Sequence, residues 1–137
     1  MNHQATPYLI FSGKAKEALG YYKVIFNGEV SGIQTFGEAD FDTPKEMDDW
    51  IMHAQFQSGA LFFMVSDSFS EPSITIGNHI SLALELESEE EIRSLYDRFT
   101  ERSTPLMELQ DTFWGAIYAK VKDPYGVIWD LNYTKED

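Results

Sequence analysis

The stretch Asp111–Asn132, DTFWGAIYAKVKDPYGVIWDLN, decides the reading of the chain. At its centre Asp123-Pro124-Tyr125-Gly126 has the makings of a tight turn. Pro124 presets φ, the Asp123 side chain can bond back to the backbone, and Gly126 relaxes the exit. Residues 117–122 and 127–133 on either side are rich in β-branched and aromatic side chains, so the unit reads as a β-hairpin. In its second strand Val127, Trp129, Leu131 and Tyr133 fall on one face and Ile128, Asp130 and Asn132 on the other, which predicts a core face and a chemical face. Upstream, Phe113 and Trp114 stand beside Gly115, where the backbone can turn sharply. That pair suits the rim of a site, and equally an aromatic plug in the core.

Working outward, the rest of the chain falls into two similar halves. Residues 8–11 are short and apolar, a first strand; Ala15, Ala18, Leu19, Tyr22 and Phe26 then follow helical spacing, with Gly28 as the stop. Strands are expected over 30–36, over 50–57 (Met52, Ala54 and Phe56 against Ile51, His53, Gln55 and Gln57) and over 61–66. Between the first two of these, residues 38–49 form an acidic loop around Pro44. Its carboxylates lack calcium-loop spacing, so it reads as solvated or partner-facing. After a polar linker, 67–77, containing Pro72, the order repeats. A strand over 79–87 sets Ile80, Leu82, Leu84 and Leu86 against His79, Ser81, Ala83 and Glu85. Ser88 and Glu91 then make a capping signature ahead of Ile92, Leu95, Tyr96 and Phe99. Strands over 106–110, 117–122 and 127–133 complete the half. The expected fold is α+β: two βαβββ modules, 7–66 and 78–134, forming a curved mixed sheet with the helices outside.

The 137 residues fit one such domain, and a 43% hydrophobic, 15% aromatic composition supplies its core. A formal charge of −13 without any basic cluster excludes nucleic acid as a partner and disfavours an anionic membrane surface. With no cysteine, disulfides, thiolate catalysis and cysteine-based zinc sites are excluded. No stretch has the pattern of a signal peptide or the length to span a bilayer, so a soluble cytoplasmic protein is expected.

The repeated βαβββ order, Glu17-Ala18 with Tyr21-Tyr22 on the first helix, Trp114-Gly115 and the Asp123–Gly126 turn resemble the glyoxalase, bleomycin-resistance and extradiol-dioxygenase (vicinal oxygen chelate) superfamily. More narrowly, PYLIFSGKAKEALGYY, IMHAQ, the VSD of 65–67, DTFWG and DPYGVIWDLN resemble its PhnB-like branch, and the match covers nearly the whole chain. The resemblance implies one divalent metal (zinc, nickel, manganese or iron) held between the halves, where open positions can chelate two neighbouring substrate oxygens. Carried over, the second-half ligand falls on His79 and the last-strand acid on Asp130. This chain departs at the first-half position, which falls on Pro7, without a donor; Asp130 is also shorter than the glutamate common there. A weak or absent metal is therefore expected. His53 matches the branch's M-H-A segment. Three readings stand for it: a hydrogen-bonded histidine in a ligand cavity, a metal ligand or acid/base group, or a surface or dimer-interface residue. His79 reads more readily as a satisfied histidine at a strand start, and Asp130 is also readable as a carboxylate bonded to a backbone amide.

Two functions follow. The first is a small-molecule-binding homodimer of the resistance type, its cavity on the concave sheet face lined by Phe11, His53, Gln55, Phe113, Trp114 and Asp130, with no obligatory metal. The second is a metal-dependent lyase, isomerase or transferase using His79, Asp130 and His53 on a substrate with adjacent oxygens. Methyl transfer, an activity sometimes attached to this branch, is not expected, because no glycine-rich strand-to-helix turn is present to hold a nucleoside methyl donor.

Overall fold

The structure is a computed structural model that describes residues 1–39, 42–69 and 74–136. Pro72 and the middle of the linker, and residues 40–41 of the acidic loop, lie outside the described residues. The chain divides into two compact units, Met1–Thr75 and Ile76–Asp137.

The amino-terminal unit runs β1 (Tyr8–Phe11), α1 (Ala15–Phe26), β2 (Glu29–Thr35), a short 3-10 turn (Lys45–Met47), β3 (Ile51–Ser58) and β4 (Leu61–Asp67). Its sheet has the order β1-β4-β3-β2, with β1 parallel to β4 and the other neighbours antiparallel. α1 lies on one face, where Tyr22 meets Phe56 and Phe63 edge-on with ring centroids 6.5 and 5.4 Å apart. The helix buries Ala15, Ala18, Leu19, Tyr21, Tyr22 and Ile25, so its stripe closes on Ile25 rather than on Phe26. The helix stop also differs from expectation. Asn27, not Gly28, takes the left-handed conformation (φ 52°). Gly28 serves close approach instead, since a Cβ there would lie 2.3 Å from the Phe56 ring and 2.9 Å from the Gln57 carbonyl. Lys14 gives α1 no side-chain cap. Asp67, buried at the end of β4, supplies one from across the unit: Ala15 N donates to Oδ1 and Ile51 N to Oδ2, both at 3.0 Å. Strand β4 thereby runs one residue into the stretch read as linker. Ile51, expected on the polar face of β3, is buried at 3% exposure at its irregular end, where β2 shifts register between Gln34 and Thr35.

The carboxy-terminal unit repeats the order: β5 (Leu82–Glu85), α2 (Glu89–Thr100), β6 (Thr104–Asp111), β7 (Ala116–Lys122) and β8 (Ile128–Thr134), with sheet order β5-β8-β7-β6 and β5 parallel to β8. Ser88 caps α2 through Glu91 N at 3.0 Å, while the Glu91 carboxylate accepts from Glu87 N at 3.2 Å rather than from the amide of Ser88 itself. α2 buries Ile92, Leu95 and Phe99, the last against Trp129. β5 is shorter than its alternation predicts. Its ladder starts at Leu82 opposite Trp129, and β8 begins only at Ile128, so residues ahead of Leu82 soon lose a partner. Ile80, read as core, is consequently 70% exposed, and His79 stands outside the strand. The turn forms as expected: Tyr125 N and Val127 N donate to Asp123 Oδ1 at 2.9 and 3.0 Å, and Gly126 has φ 94°. The indole Nε1 of Trp129 donates to Asp123 Oδ2 at 2.9 Å. Both units are thus α+β modules of the expected βαβββ order. Among the described residues, no helix is long and apolar enough to cross a membrane.

Candidate functional site

Each sheet has one face under a helix and one free of it. In the carboxy-terminal unit, Trp129 and Leu131 face α2, so strand parity sends Asp130, Asn132 and Thr134 to the helix-free face. Antiparallel pairing with β7 sets Lys120 opposite Asp130 and Tyr118 opposite Asn132; parallel pairing with β5 sets Ala83 beside Asp130 and Glu85 beside Asn132. Both oxygens of the Asp130 carboxylate take contacts from this face. Ser81 Oγ donates to Oδ2 and the Tyr118 hydroxyl to Oδ1, each at 2.7 Å, and the Lys120 ammonium stands 3.7 Å from Oδ1. Burial, then the hydrogen bond to Asp130 and its charge, push the Tyr118 phenol up to about 12, so its proton stays on that bond at neutral pH. Glu85 is handled in the same way. Burial raises its carboxyl pKa, but bonds from Asn132 Nδ2 (2.7 Å), Thr134 Oγ1 (2.9 Å) and Thr134 N (3.2 Å) outweigh this and hold it below the ordinary carboxylate range.

The β6–β7 connection carries the aromatics to this face. Phe113 is 97% and Trp114 54% exposed, which removes the core-plug reading of the pair. Their rings meet edge-on at 5.1 Å, and Trp114 meets Tyr118 at 6.1 Å, one side chain from Asp130. The loop is fastened: Thr112 N and Oγ1 donate to the Ala116 carbonyl, Lys135 N donates to the Gly115 carbonyl, and Lys135 pairs with Asp111. Gly115 itself has φ 82°, a conformation other residues adopt at a cost.

In the amino-terminal unit, the helix-free face carries His53 and Gln55 on β3, Met64 on β4 opposite Gln55, and Tyr8 on β1 beside Met64. The Tyr8 hydroxyl lies 3.0 Å from His53 Nδ1, and the two rings meet edge-on at 5.8 Å. Phe11 is the residue the structure moves. It shares a strand face with Leu9, opposite Tyr8 and Ile10, and is buried at 3% exposure on the α1 side, away from His53 and Gln55. Ser81, Tyr118, Lys120 and Tyr8 were not singled out from the sequence. Hairpin arithmetic does reach Tyr118 and Lys120, because cross-strand partners around the Asp123 turn keep a constant sum of residue numbers.

A family model described as 3-demethylubiquinone-9 3-methyltransferase matches residues 3–132. Its PhnB-like members belong to the glyoxalase/bleomycin-resistance superfamily, and so does this fold. The chain belongs to this PhnB-like family. Protein PA1353 of Pseudomonas aeruginosa is 31% identical, covering 98% of this chain and 100% of its own, with a TM-score of 0.82. A PhnB protein from Bacillus cereus, carrying the same methyltransferase description, is 28% identical over 96% of this chain and 100% of its own, with a TM-score of 0.80. YjdN of Escherichia coli is 28% identical, covering 96% of this chain and 95% of YjdN.

The resemblance implies a divalent metal and assigns its acid ligand to Asp130. The residues around Asp130 do not fit such an ion. Both carboxylate oxygens already accept protein hydroxyl protons, and an ammonium stands where a second cation would be repelled. His79 lies exposed in a bend ahead of β5. Among the described residues no group of three or more histidine, aspartate or glutamate side chains is arranged to hold a metal.

Proposed function

We propose that this member of the PhnB-like family is a small-molecule-binding protein of the glyoxalase/bleomycin-resistance type, gripping a flat ligand on the helix-free face of its carboxy-terminal module. The observation that carries the reading is the pair Phe113 and Trp114, two large aromatics held exposed on a fastened loop beside the Tyr118–Asp130 bond. Exposed apolar area of this kind costs solubility unless something covers it, and an indole offers both a flat surface and one donor. His53 with Tyr8, and Gln55, give the amino-terminal module a polar counterpart on its own helix-free face. Methyl transfer, the activity in the family description, is not part of the proposal. The strand-to-helix connections Ser12-Gly13-Lys14 and Leu86-Glu87-Ser88 are not the glycine-rich turns that commonly hold a nucleoside donor.

The test is a thermal-shift and fluorescence screen of planar compounds against the protein and Trp114→Ala. Loss of binding with unfolding free energy changed by less than about 1 kcal/mol supports the proposal. Unchanged binding with a loss of several kcal/mol, the mark of a core aromatic, refutes it. A homodimer belongs to the same proposal, supported by the edge strand β6 with Leu106 and Met107 exposed at 47% and 43%. Sedimentation that shows only monomer at tens of micromolar, where a modest interface is already populated, counts against it.

A further inference from the structure

The direction of the hydrogen bonds around Asp130 carries information about the ligand. An ionised carboxylate only accepts, so each neighbour that bonds to it must spend a proton on it. Ser81 and Tyr118 both do, at 2.7 Å. Once its single proton is committed, a hydroxyl offers its surroundings nothing but lone pairs, and donation to an anion makes those lone pairs better acceptors. The same inversion occurs one step along the sheet. Asn132 Nδ2 donates to Glu85 and to Thr134 Oγ1, and Thr134 Oγ1 donates to Glu85, which leaves the carbonyl oxygen of Asn132 as its uncommitted polar atom. Two carboxylates therefore commit the donors of Ser81, Tyr118, Asn132 and Thr134 and leave those residues their acceptors, while the Trp114 indole N–H stays a donor on the same face. Lys120 is the one cationic donor of the cluster, and Asp130 offsets its charge.

A substrate with adjacent carbonyl or hydroxylate oxygens would meet these lone pairs with its own, an unfavourable match. Donor groups match them. We propose that the ligand of this face is a planar aromatic compound bearing N–H donors, an aryl amine or amidine, with its ring against Trp114 and its N–H groups on the oxygens of Tyr118 and Ser81. The inference rests on the function proposed above and adds the ligand's polarity. The indole face favours a cationic ring in addition, and the formal charge of −13 raises the local concentration of cations.

Because overall charge would attract any cation, the experiment compares ligands that share charge and ring. Proflavine carries exocyclic N–H groups. Acridine orange is the same cationic tricycle with those nitrogens methylated, and anilinonaphthalene sulfonate is an anion. Affinities are measured by fluorescence titration on the full chain, Trp114→Ala, Tyr118→Phe and Ser81→Ala, with circular dichroism confirming that each variant is folded. The expected result is proflavine binding about tenfold tighter than acridine orange, with the preference lost in Tyr118→Phe and reduced in Ser81→Ala, as removal of one or two hydrogen bonds predicts. If Tyr118→Phe does not fold, Ser81→Ala alone decides. Trp114-dependent binding with no preference for proflavine, or with preference for the sulfonate, overturns the donor assignment while leaving a ligand face. If no probe shows Trp114-dependent binding, the ligand face falls as well.

Discussion

The Asp123 carboxylate should be worth more to this protein than any surface ion pair. It is 4% exposed, and it satisfies the Tyr125 and Val127 amides through Oδ1 and the Trp129 indole through Oδ2. Replacing it with alanine strands three N–H groups. Two of these, Tyr125 N and Trp129 Nε1, are buried and find no water, while Val127 N is only partly buried. At roughly 1–3 kcal/mol for each buried unsatisfied donor, and little for the one that reaches solvent, Asp123→Ala should lose about 2–6 kcal/mol. That is a large share of the roughly 5–15 kcal/mol that typical domains possess. Asp123→Asn separates the contributions. Its carbonyl can still serve both amides, but its NH2 then faces the indole N–H, so the loss should shrink to about 1–3 kcal/mol. Urea unfolding followed by far-ultraviolet circular dichroism reads both, provided the slope against denaturant is unchanged. Trp129→Phe in the asparagine background should cost less than in the native chain, because the donor clash goes with the indole. A loss below about 1 kcal/mol for Asp123→Ala, or equal losses for the two variants, would show that these bonds do not hold the turn.

Asp67→Ala should lose about 2–4 kcal/mol, the sum of a helix cap and one buried amide. Hydrogen exchange should quicken first at Ala15 and Ile51, and uniform acceleration across the unit would refute a local role. Tyr118 should ionise near pH 12 in an absorbance titration, and Tyr118→Phe should remove that step. Its raised pKa stabilises the folded chain fully below the ordinary value of 10.0, and the contribution is lost as pH climbs to about 12. The native protein should therefore lose more stability across that window than Tyr118→Phe does.

The two helices and the hairpin were legible because their signals are local. Ile92, Leu95 and Phe99 recur at helical spacing, and Trp129 and Leu131 alternate with Asp130. What escaped depends on partners distant in sequence. The alternation from His79 onward looks like strand, but a strand exists only where a neighbour pairs with it, and β8 offers none so far back. Phe11 was assigned to the pocket although parity with Tyr8 and Ile10 places it on the other face. The glycine at 28 drew the helix stop away from Asn27 because its use, room for the Phe56 ring, is a tertiary contact. In the site, Asp130 and Trp114 stood out as residue types, whereas Ser81 and Tyr118 are ordinary residues until pairing sets them around a carboxylate.

The parallel pairing of first and last strands, β1 with β4 and β5 with β8, has a kinetic side. In the carboxy-terminal unit, the Tyr118–Asp130 bond closes across 12 residues within a hairpin, a fast local event. The Ser81–Asp130 bond spans 49 residues and closes a longer loop at a higher entropy cost. An intermediate with a formed hairpin and an undocked β5 would hold its carboxylate half-satisfied, with Oδ2 open to solvent. Pairing of β5 with β8 is then the step that brings Ser81 to the carboxylate and completes the acceptor face.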